Sequence, residues 1–224
     1  MPEPTSAEPA PPARRPYGGV SHEQRKERRR QQFLDAGLEL FGTIGYRQTT
    51  VRVLAKQAGA TDRYFYESFA NMEDLLVAVY GACMDRVQRA VLASLEALPP
   101  RCDEAQLIAT TLDAFFLEFE DRRLARVCWI EILGVSPNVD AVYQGEVRRF
   151  ADFLAALVRE RFPDLMPPEH LTGLVSIALI GAVSETAIQW FLDDYERPRE
   201  HIVAALVTVF LGVAQPRPGE PSST

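Results

Sequence analysis

The side chains best suited to chemistry lie in the segment from Thr49 to Phe69. Arg63 and Tyr64 are neighbours there, and a guanidinium and a phenol can both donate hydrogen bonds to base edges and phosphate oxygens. Phe65 lies four residues before Phe69, so the two rings would anchor the opposite side of a helix inward. This spacing predicts a binding surface for nucleic acid.

Two short helices and a tight turn would position these side chains. Thr49 or Thr50 can cap the first helix, because a side-chain oxygen there accepts a free backbone N–H. Gly59 ends that helix, since glycine adopts a left-handed backbone at little cost, and Thr61 caps the second. The pattern is that of a helix-turn-helix, whose second helix enters the major groove. The alternative is an ordinary helical hairpin in a core.

The run from Phe33 to Leu76 resembles the DNA-binding domain of the TetR family of transcriptional regulators. The residues that match in register are Phe41, Gly45, Tyr46, Thr49, Thr50, Val51, Leu54, Ala55, Ala58, Gly59, Ala60, Thr61, Tyr66, Phe69, Glu73, Leu75 and Leu76. The chain departs from the family pattern at Asp62, Arg63 and Met72. Asp62 would repel a phosphate and Met72 removes a phosphate contact, so we expect weaker non-specific affinity for DNA, which Arg63 can compensate.

A basic run at residues 25–30 precedes the motif, and its position favours phosphate contacts over a merely solvated face. The residues expected to contact operator DNA are Arg28, Arg29, Arg47, Thr49, Thr50, Thr61, Arg63, Tyr64 and Tyr66. Residues 14–69 hold 11 basic and 6 acidic side chains, whereas the whole chain has a net charge of −7. A basic domain beside an acidic body fits nucleic-acid contact at one end, although a merely bipolar soluble protein would show the same asymmetry.

Catalytic and metal-binding classes find little support. The three histidines occur in no metal-ligand spacing, and neither a G-x-S-x-G turn nor a Walker loop is present. We therefore expect no enzyme, no cofactor and no metal. Cys83, Cys102 and Cys128 form no disulfide framework, and a reducing cytoplasm is the simplest location. The apolar stretch from Leu171 to Leu192 contains Glu185, which argues against a membrane span.

The rest of the chain predicts an all-α body without strands. A helix from Met72 to Leu98 would be about 40 Å long and would connect the DNA-binding domain with the body. Shorter helices are expected at Glu104–Glu120, Leu124–Leu133, Asp140–Phe162, Glu169–Asp193 and Arg199–Val213. The expected organisation is a disordered arm at 1–20, a helix-turn-helix domain at 21–71, a ligand-binding and dimerisation domain at 72–214 and a loose tail at 215–224. Arg14 and Arg15 make the arm either a DNA contact or an inert extension.

The resemblance implies a C-terminal helical domain that binds a small effector. The candidate ligand-binding residues are Met84, Val87, Phe116, Phe119, Trp129, Glu131, Phe153, Leu157 and Ser184. Each aromatic residue has plain core packing as its alternative. Glu131 either anchors the effector or is a charge paired within the core. Because most candidates are apolar, we expect an apolar or amphipathic effector.

The last two helices predict a homodimer interface, since small residues permit close helix approach and apolar residues follow at helical spacing. The candidate interface residues are Gly181, Ile188, Ile202, Leu206, Val209 and Phe210. Internal core is the alternative for both helices. The sequence thus predicts a TetR-like dimeric regulator that binds double-stranded operator DNA, as a repressor released by its effector. Two alternatives are the same fold without effector control and a helical scaffold protein with no DNA role; activation also stays open.

Overall fold

The computed structural model describes residues 21–99, 101–161, 163 and 167–214. Every regular element in these ranges is helical, which confirms the all-α prediction. The α-helices are α1 (His22–Thr43), α2 (Val51–Gln57), α3 (Asp62–Ser68), α4 (Met72–Glu96), α5 (Glu104–Glu118), α6 (Arg122–Arg126), α7 (Pro137–Arg161), α8 (Glu169–Leu192) and α9 (Arg199–Ala214). The expected N-terminal arm and C-terminal tail lie outside the described residues.

Helices α1 to α3 and the start of α4 share an aromatic core. Phe33, Phe41 and Phe65 are fully buried, and the Phe33 and Phe65 rings meet edge to face with centroids 5.7 Å apart. Ser21 opens α1 with a complete capping box, in which its side chain accepts a hydrogen bond from Gln24 N. Gly59 has φ +62°, so the turn between α2 and α3 uses the left-handed backbone expected of glycine. These features hold α3 against the domain and leave its other side exposed.

Helix α4 connects this domain with the body. Leu76 and Val79 near its start are buried beside α1, while Val87 and Val91 are buried in the body. A Cβ atom at Gly37 would lie 2.7 Å from Val79 Cγ2, so the close approach of α1 to α4 depends on glycine. The prediction of one long connecting helix is therefore confirmed.

The chain after α5 differs from the predicted pattern. Instead of one helix over Leu124–Leu133, α6 is followed by a π-helical turn, Val127–Glu131, closed by a hydrogen bond of 3.2 Å from Ile132 N to Val127 O. Such a wide turn inserts one residue and redirects the side chains that follow it, which a 3.6-residue period does not reveal. Pro137 was expected to lie outside the helices but is the first residue of α7, because a first-turn residue needs no N–H partner.

Candidate DNA-binding surface and effector cavities

Helix α3 presents one buried and one exposed side. Phe65 is fully buried against α1, whereas the side chains of Arg63, Tyr64 and Tyr66 reach the surface. The Arg63 side chain is 86% exposed, and its Nε donates to Glu67 Oε1 at 3.1 Å. An exposed guanidinium paired only with a surface carboxylate is available to a base edge or a phosphate, since such a pair is weak.

The basic run on α1 divides by role. Arg28 is exposed, while the Arg29 guanidinium lies 4.5 Å from the centroid of the Tyr64 ring and orients that side chain by a cation–π contact. Arg30 stacks on Phe69 and donates to the backbone oxygen of Ser68, which ties α1 to the end of α3. Arg29 therefore supports the recognition surface indirectly as well as by its charge.

Three threonines predicted to contact DNA occupy different positions. Thr50 caps α2 and is exposed, and Thr61 precedes α3 as an exposed residue whose side chain makes no capping bond. Thr49 is buried, and its hydroxyl donates to the Gly45 oxygen at 2.8 Å. Expectation and structure differ at Thr49, because this hydroxyl holds the turn before α2 instead of facing solvent.

Further basic residues extend this surface. Arg47 is exposed before α2, as predicted. Arg52 and Lys56 were not predicted, although both are exposed on α2 and their spacing of four places them on one helix face. That spacing is a sequence signal that could have identified them. Together with Arg28, these side chains form a positively charged margin around α3.

The body contains a large apolar cavity of about 130 Å³ between α4, α5, α7, α8 and α9. Of the predicted ligand-binding residues, Phe153 and Leu157 line it. The polar side chains in its wall are few, namely Glu104, Thr111, Thr172 and Ser176. A largely apolar enclosure with few polar groups is typical of a site for an apolar or amphipathic molecule.

A smaller cavity of about 40 Å³ adjoins the large one. Met84, Trp129 and Ser184 line it, which places three more predicted residues at a cavity wall. Both cavities share the side chains of Phe115, Phe150, Ile180 and Val183. Sequence analysis missed Tyr80, Tyr143 and Glu146 in its wall. They lie on α4 and α7, and only the packing of these helices against the π-helical turn brings them together.

Four predicted ligand-binding residues lie elsewhere. Val87 and Phe116 are fully buried core residues, and Phe119 stacks on Trp129 with ring centroids 4.9 Å apart. Phe119 therefore supports a cavity wall from behind without lining it. For Val87 and Phe116 the core alternative describes the structure, because helical spacing alone does not distinguish an inward side chain from one beside a cavity. Glu131 has a separate role.

Glu131 links the body to the DNA-binding domain. Its Oε2 accepts a hydrogen bond of 2.8 Å from Tyr46 N, and its Oε1 accepts one of 2.8 Å from Arg126 Nε. Arg126 also donates to the Thr43 oxygen at the end of α1. Expectation and structure differ on the effector anchor: Glu131 is the paired charge of the second alternative, and its partners lie on the domain boundary.

Burial raises the pKa values of the phenol of Tyr80 and the thiol of Cys128 above their usual ranges. Contact with Cys83 raises the pKa of Cys128 further, and Cys128 is only 1% exposed. A neutral buried thiol is a poor nucleophile and a structural residue. Within the described ranges, no cluster of His, Cys, Asp and Glu side chains is arranged to hold a metal ion.

A family model described as bacterial regulatory proteins of the tetR family matches residues 33–79. This match covers α2, α3 and the aromatic core that carries them. The Fatty acid metabolism regulator protein of Bacillus subtilis is 24% identical over 181 residues, with 76% of this chain and 88% of that protein covered. Residues 33–79 therefore form a DNA-binding domain of the tetR type, and the proteins that the chain resembles over most of their length are transcriptional regulators.

Other proteins and solved structures are similar to this chain over most of their length. The regulator BetI of Escherichia coli is 27% identical over 152 residues, with 66% of this chain and 77% of that protein covered. The structure of FadR from Bacillus halodurans has a TM-score of 0.69 at 22% identity, covering 82% of this chain and 95% of that one. FadR from Bacillus subtilis, solved in complex with stearoyl-CoA, has a TM-score of 0.68 at 21% identity, with 82% and 98% covered.

The predicted interface residues fall into two groups. Ile202, Leu206 and Phe210 are buried within the chain beside α5, so they are core in the monomer. Val209 and Gly181 are exposed, and Ile188 is half-buried. The surface of α8 and α9 also exposes apolar residues that were not predicted: Leu174, Ile177 and Val213. An apolar patch of this kind marks an interaction surface.

Helix α8 is apolar throughout. By length and composition it could cross a membrane, with a mean hydropathy of 1.7 in its most apolar window, only 17% of which is buried. One side of α8 packs on α7, and Glu185 and Gln189 on the exposed side form a hydrogen bond of 3.0 Å. A carboxylate such as that of Glu185 within such a helix is costly in lipid, and one such helix is weak evidence for a span.

Proposed function

We propose that this regulator is a cytoplasmic homodimeric repressor that leaves its operator when an amphipathic effector fills the two cavities. The observation that carries the proposal is the position of the small cavity. Its wall includes Met84 of the connecting helix α4 and Trp129 of the π-helical turn, and both elements also contact the DNA-binding domain. A ligand there can therefore bias both elements at once.

DNA recognition would follow the usual geometry of a helix-turn-helix. Tyr64 and Arg63 near the start of α3 would reach base edges in the major groove, and Arg63 can bond a guanine. Thr50, Thr61 and Tyr66 would contact the sugar–phosphate backbone. The basic margin of Arg28, Arg29, Arg47, Arg52 and Lys56 would add sequence-independent attraction to phosphates.

The proposed dimer would pair the exposed surfaces of α8 and α9 with their two-fold copies. Leu174, Ile177, Val209 and Val213 supply its apolar contacts, and Gly181 permits close approach. Ile202, Leu206 and Phe210 would hold α9 against α5 beneath that surface. A two-fold dimer presents two recognition helices about one DNA turn, 34–36 Å, apart, and requires a palindromic or nearly palindromic operator.

The effector would have a long apolar part. The large cavity is almost wholly apolar. The two cavities lie side by side, and four side chains line both of them. The related FadR of Bacillus subtilis was solved with stearoyl-CoA, which combines a long acyl chain with a polar group. A molecule with an apolar chain and a polar end fits both the relative and the cavities of this chain.

Control would act through two elements. α4 runs from the core of the DNA-binding domain to Met84 at the small cavity, so a shift of α4 would change the spacing of the recognition helices. The π-helical turn gives a second route, because Trp129 lines the cavity while Glu131 bonds Tyr46 and Arg126. A ligand can shift such an equilibrium only by its differential affinity for the two states.

One experiment tests both halves of this proposal. Fluorescence anisotropy with DNA from the promoter region of its own gene should show specific binding by a dimer. Ligand extracted from the purified protein and identified by mass spectrometry should weaken that binding when it is added back. Absence of specific binding to this DNA would reject the proposal that the protein regulates its own promoter. Specific binding that no extracted or added amphiphile weakens would instead favour the same fold without effector control.

A further inference from the structure

The indole N–H of Trp129 is a buried hydrogen-bond donor without an acceptor in the described structure. Trp129 is 6% exposed, and its Nε1 atom makes no hydrogen bond. The other tryptophan shows the usual arrangement: Trp190 is 4% exposed, and its Nε1 donates to the Arg197 oxygen at 2.7 Å. An unsatisfied buried donor is costly, so a native structure that keeps one calls for an explanation.

The position of Trp129 at a cavity explains why its N–H has no partner within the protein. Its ring stacks on Phe119 and forms part of the wall of the small cavity. The polar residues that share this wall are Tyr80, Tyr143, Glu146 and Ser184. The indole that lines this cavity therefore carries a donor that no protein group uses.

The charges beside the cavity restrict that atom further. Glu146 lines the wall, and its Oε2 lies 2.6 Å from Arg149 Nη2. The same Arg149 atom lies 3.8 Å from Asp85 Oδ1, so two carboxylates share one guanidinium. A carboxylate or phosphate that entered the cavity would meet the carboxylate of Glu146, whose side chain is only 19% exposed and is therefore weakly screened by water.

We propose that the small cavity binds the uncharged polar group of the effector, an ester, amide or hydroxyl whose oxygen accepts a hydrogen bond from Trp129 Nε1. The apolar chain of the same molecule then lies in the large cavity, which adjoins the small one through shared walls. This inference rests on the proposed function and names the chemical class of its ligand. It distinguishes the site from one that would enclose an acid or a phosphate group.

Calorimetric titration with two probes that share one chain tests the proposal: methyl decanoate, which is uncharged, and decanoate, which is an anion. The parent should bind the ester at least about tenfold more tightly. Trp129→Phe keeps the stacked ring and removes the donor, so it should bind the ester about three- to tenfold more weakly. Glu146→Gln should reduce the difference in affinity between ester and anion. It removes one of the two negative charges beside Arg149, which then pairs only with Asp85.

Trp190→Phe is the matched control, since it makes the same change outside both cavities and should keep the parent's preference. The inference is overturned if the parent and Trp129→Phe bind the ester equally well, or if the parent prefers decanoate. Either result would still be compatible with the proposed effector cavities. If the parent binds operator but neither probe, the inference is overturned. The proposed effector control is then tested separately, by whether the extracted ligand weakens operator binding.

The protein alone provides a second measurement. Both Trp→Phe variants lose the same atoms from buried positions, but only Trp190→Phe loses a hydrogen bond and leaves the Arg197 oxygen unpaired. The thermal midpoint of Trp190→Phe should therefore lie below that of Trp129→Phe by about 2–4 °C. A midpoint of Trp129→Phe at or below that of Trp190→Phe overturns the inference, because the Trp129 N–H then has a protein partner.

Discussion

The DNA-binding domain and the body use their charged side chains in opposite ways. On α3 the charged pair Arg63–Glu67 is four residues apart and exposed. In the body, several charged pairs join distant segments, as Arg86 does with Glu118 across 32 positions and Arg199 with Asp113 across 86. The first arrangement leaves side chains free for a partner, whereas the second fixes helices relative to each other.

This difference indicates where each function resides. The recognition surface is a local feature of two short helices, so single substitutions there should change DNA binding without changing the fold. The cavities and the domain boundary depend on several helices at once, so substitutions there should change coupling or stability.

The largest effect should come from the exposed surface of α8 and α9. Val209→Asp places a charge at the centre of the proposed interface and should give a folded monomer whose operator affinity falls by at least about 100-fold, because the two half-sites are no longer bound together. Sedimentation measures the oligomeric state, and fluorescence anisotropy measures the operator affinity.

Leu206→Asp is the informative companion. Leu206 is 3% exposed within the monomer, so this variant should fail to fold, with loss of the cooperative thermal transition. A folded monomer from Leu206→Asp and an unchanged dimer from Val209→Asp would reverse the assignment of core and interface.

Base contacts should have the next largest effect. Tyr64→Ala should weaken binding to the operator by about 1–3 kcal/mol while non-specific binding stays nearly constant. Arg52→Ala should instead weaken binding to all sequences and reduce the salt dependence by about one counterion. Anisotropy titrations at several salt concentrations on operator and scrambled DNA separate the two. Operator affinity unchanged in Tyr64→Ala would remove α3 from the recognition role.

Sequence analysis predicted the recognition domain well because its signals are local. The cap at Thr50, the turn at Gly59 and the buried Phe65 each depend on residues within four positions. Thr49 was the exception, since nothing in the spacing reveals that its hydroxyl bonds the Gly45 oxygen. The all-α body and the connecting helix were also predicted, because long apolar periodicity suffices for both.

The candidate cavity was only partly predictable. Met84, Trp129, Phe153, Leu157 and Ser184 line cavity walls, but the same apolar pattern also selected Val87 and Phe116, which are core. The π-helical turn explains the error at Glu131. It changes the direction of the side chains after Val127, so Trp129 faces the cavity while Glu131 reaches a residue 85 positions earlier.

Glu131 should matter for coupling more than for folding. Glu131→Gln keeps the shape but removes the charge that pairs with Arg126, so the bonds to Tyr46 and Arg126 weaken. The effector should then reduce operator affinity less than in the parent, by about 0.5–2 kcal/mol of coupling. Operator titrations with and without the extracted ligand measure this coupling.

Glu39→Gln is the matched control for that experiment. Glu39 Oε2 accepts from Arg123 Nη1 at 2.8 Å on the same boundary between α1 and α6, but the pair is exposed and does not involve the π-helical turn. Exposed pairs of this kind contribute little, so its coupling should equal that of the parent. Equal losses in both variants would mean that the boundary as a whole, not Glu131, carries the signal.

The smallest effect concerns Asp121, which joins α4 to α6 through Arg86 and Arg123. Burial opposes ionisation of this carboxyl, but its bonds to Arg123 and Arg86 hold its pKa below the usual 3.8. Because the folded-state pKa is depressed, this stabilisation is complete above pH 3.8 and is lost as pH falls through the folded value.

Asp121→Asn keeps an N-cap residue and removes the charge. It should lower the free energy of unfolding at pH 7 by about 1 kcal/mol. This difference from the parent should shrink as pH falls below 3.8, because the carboxyl of the unfolded parent then takes up a proton before that of the folded parent does. Thermal unfolding from pH 7 to pH 3 measures both curves. A constant difference over the whole range would show that the effect does not come from the charge of Asp121.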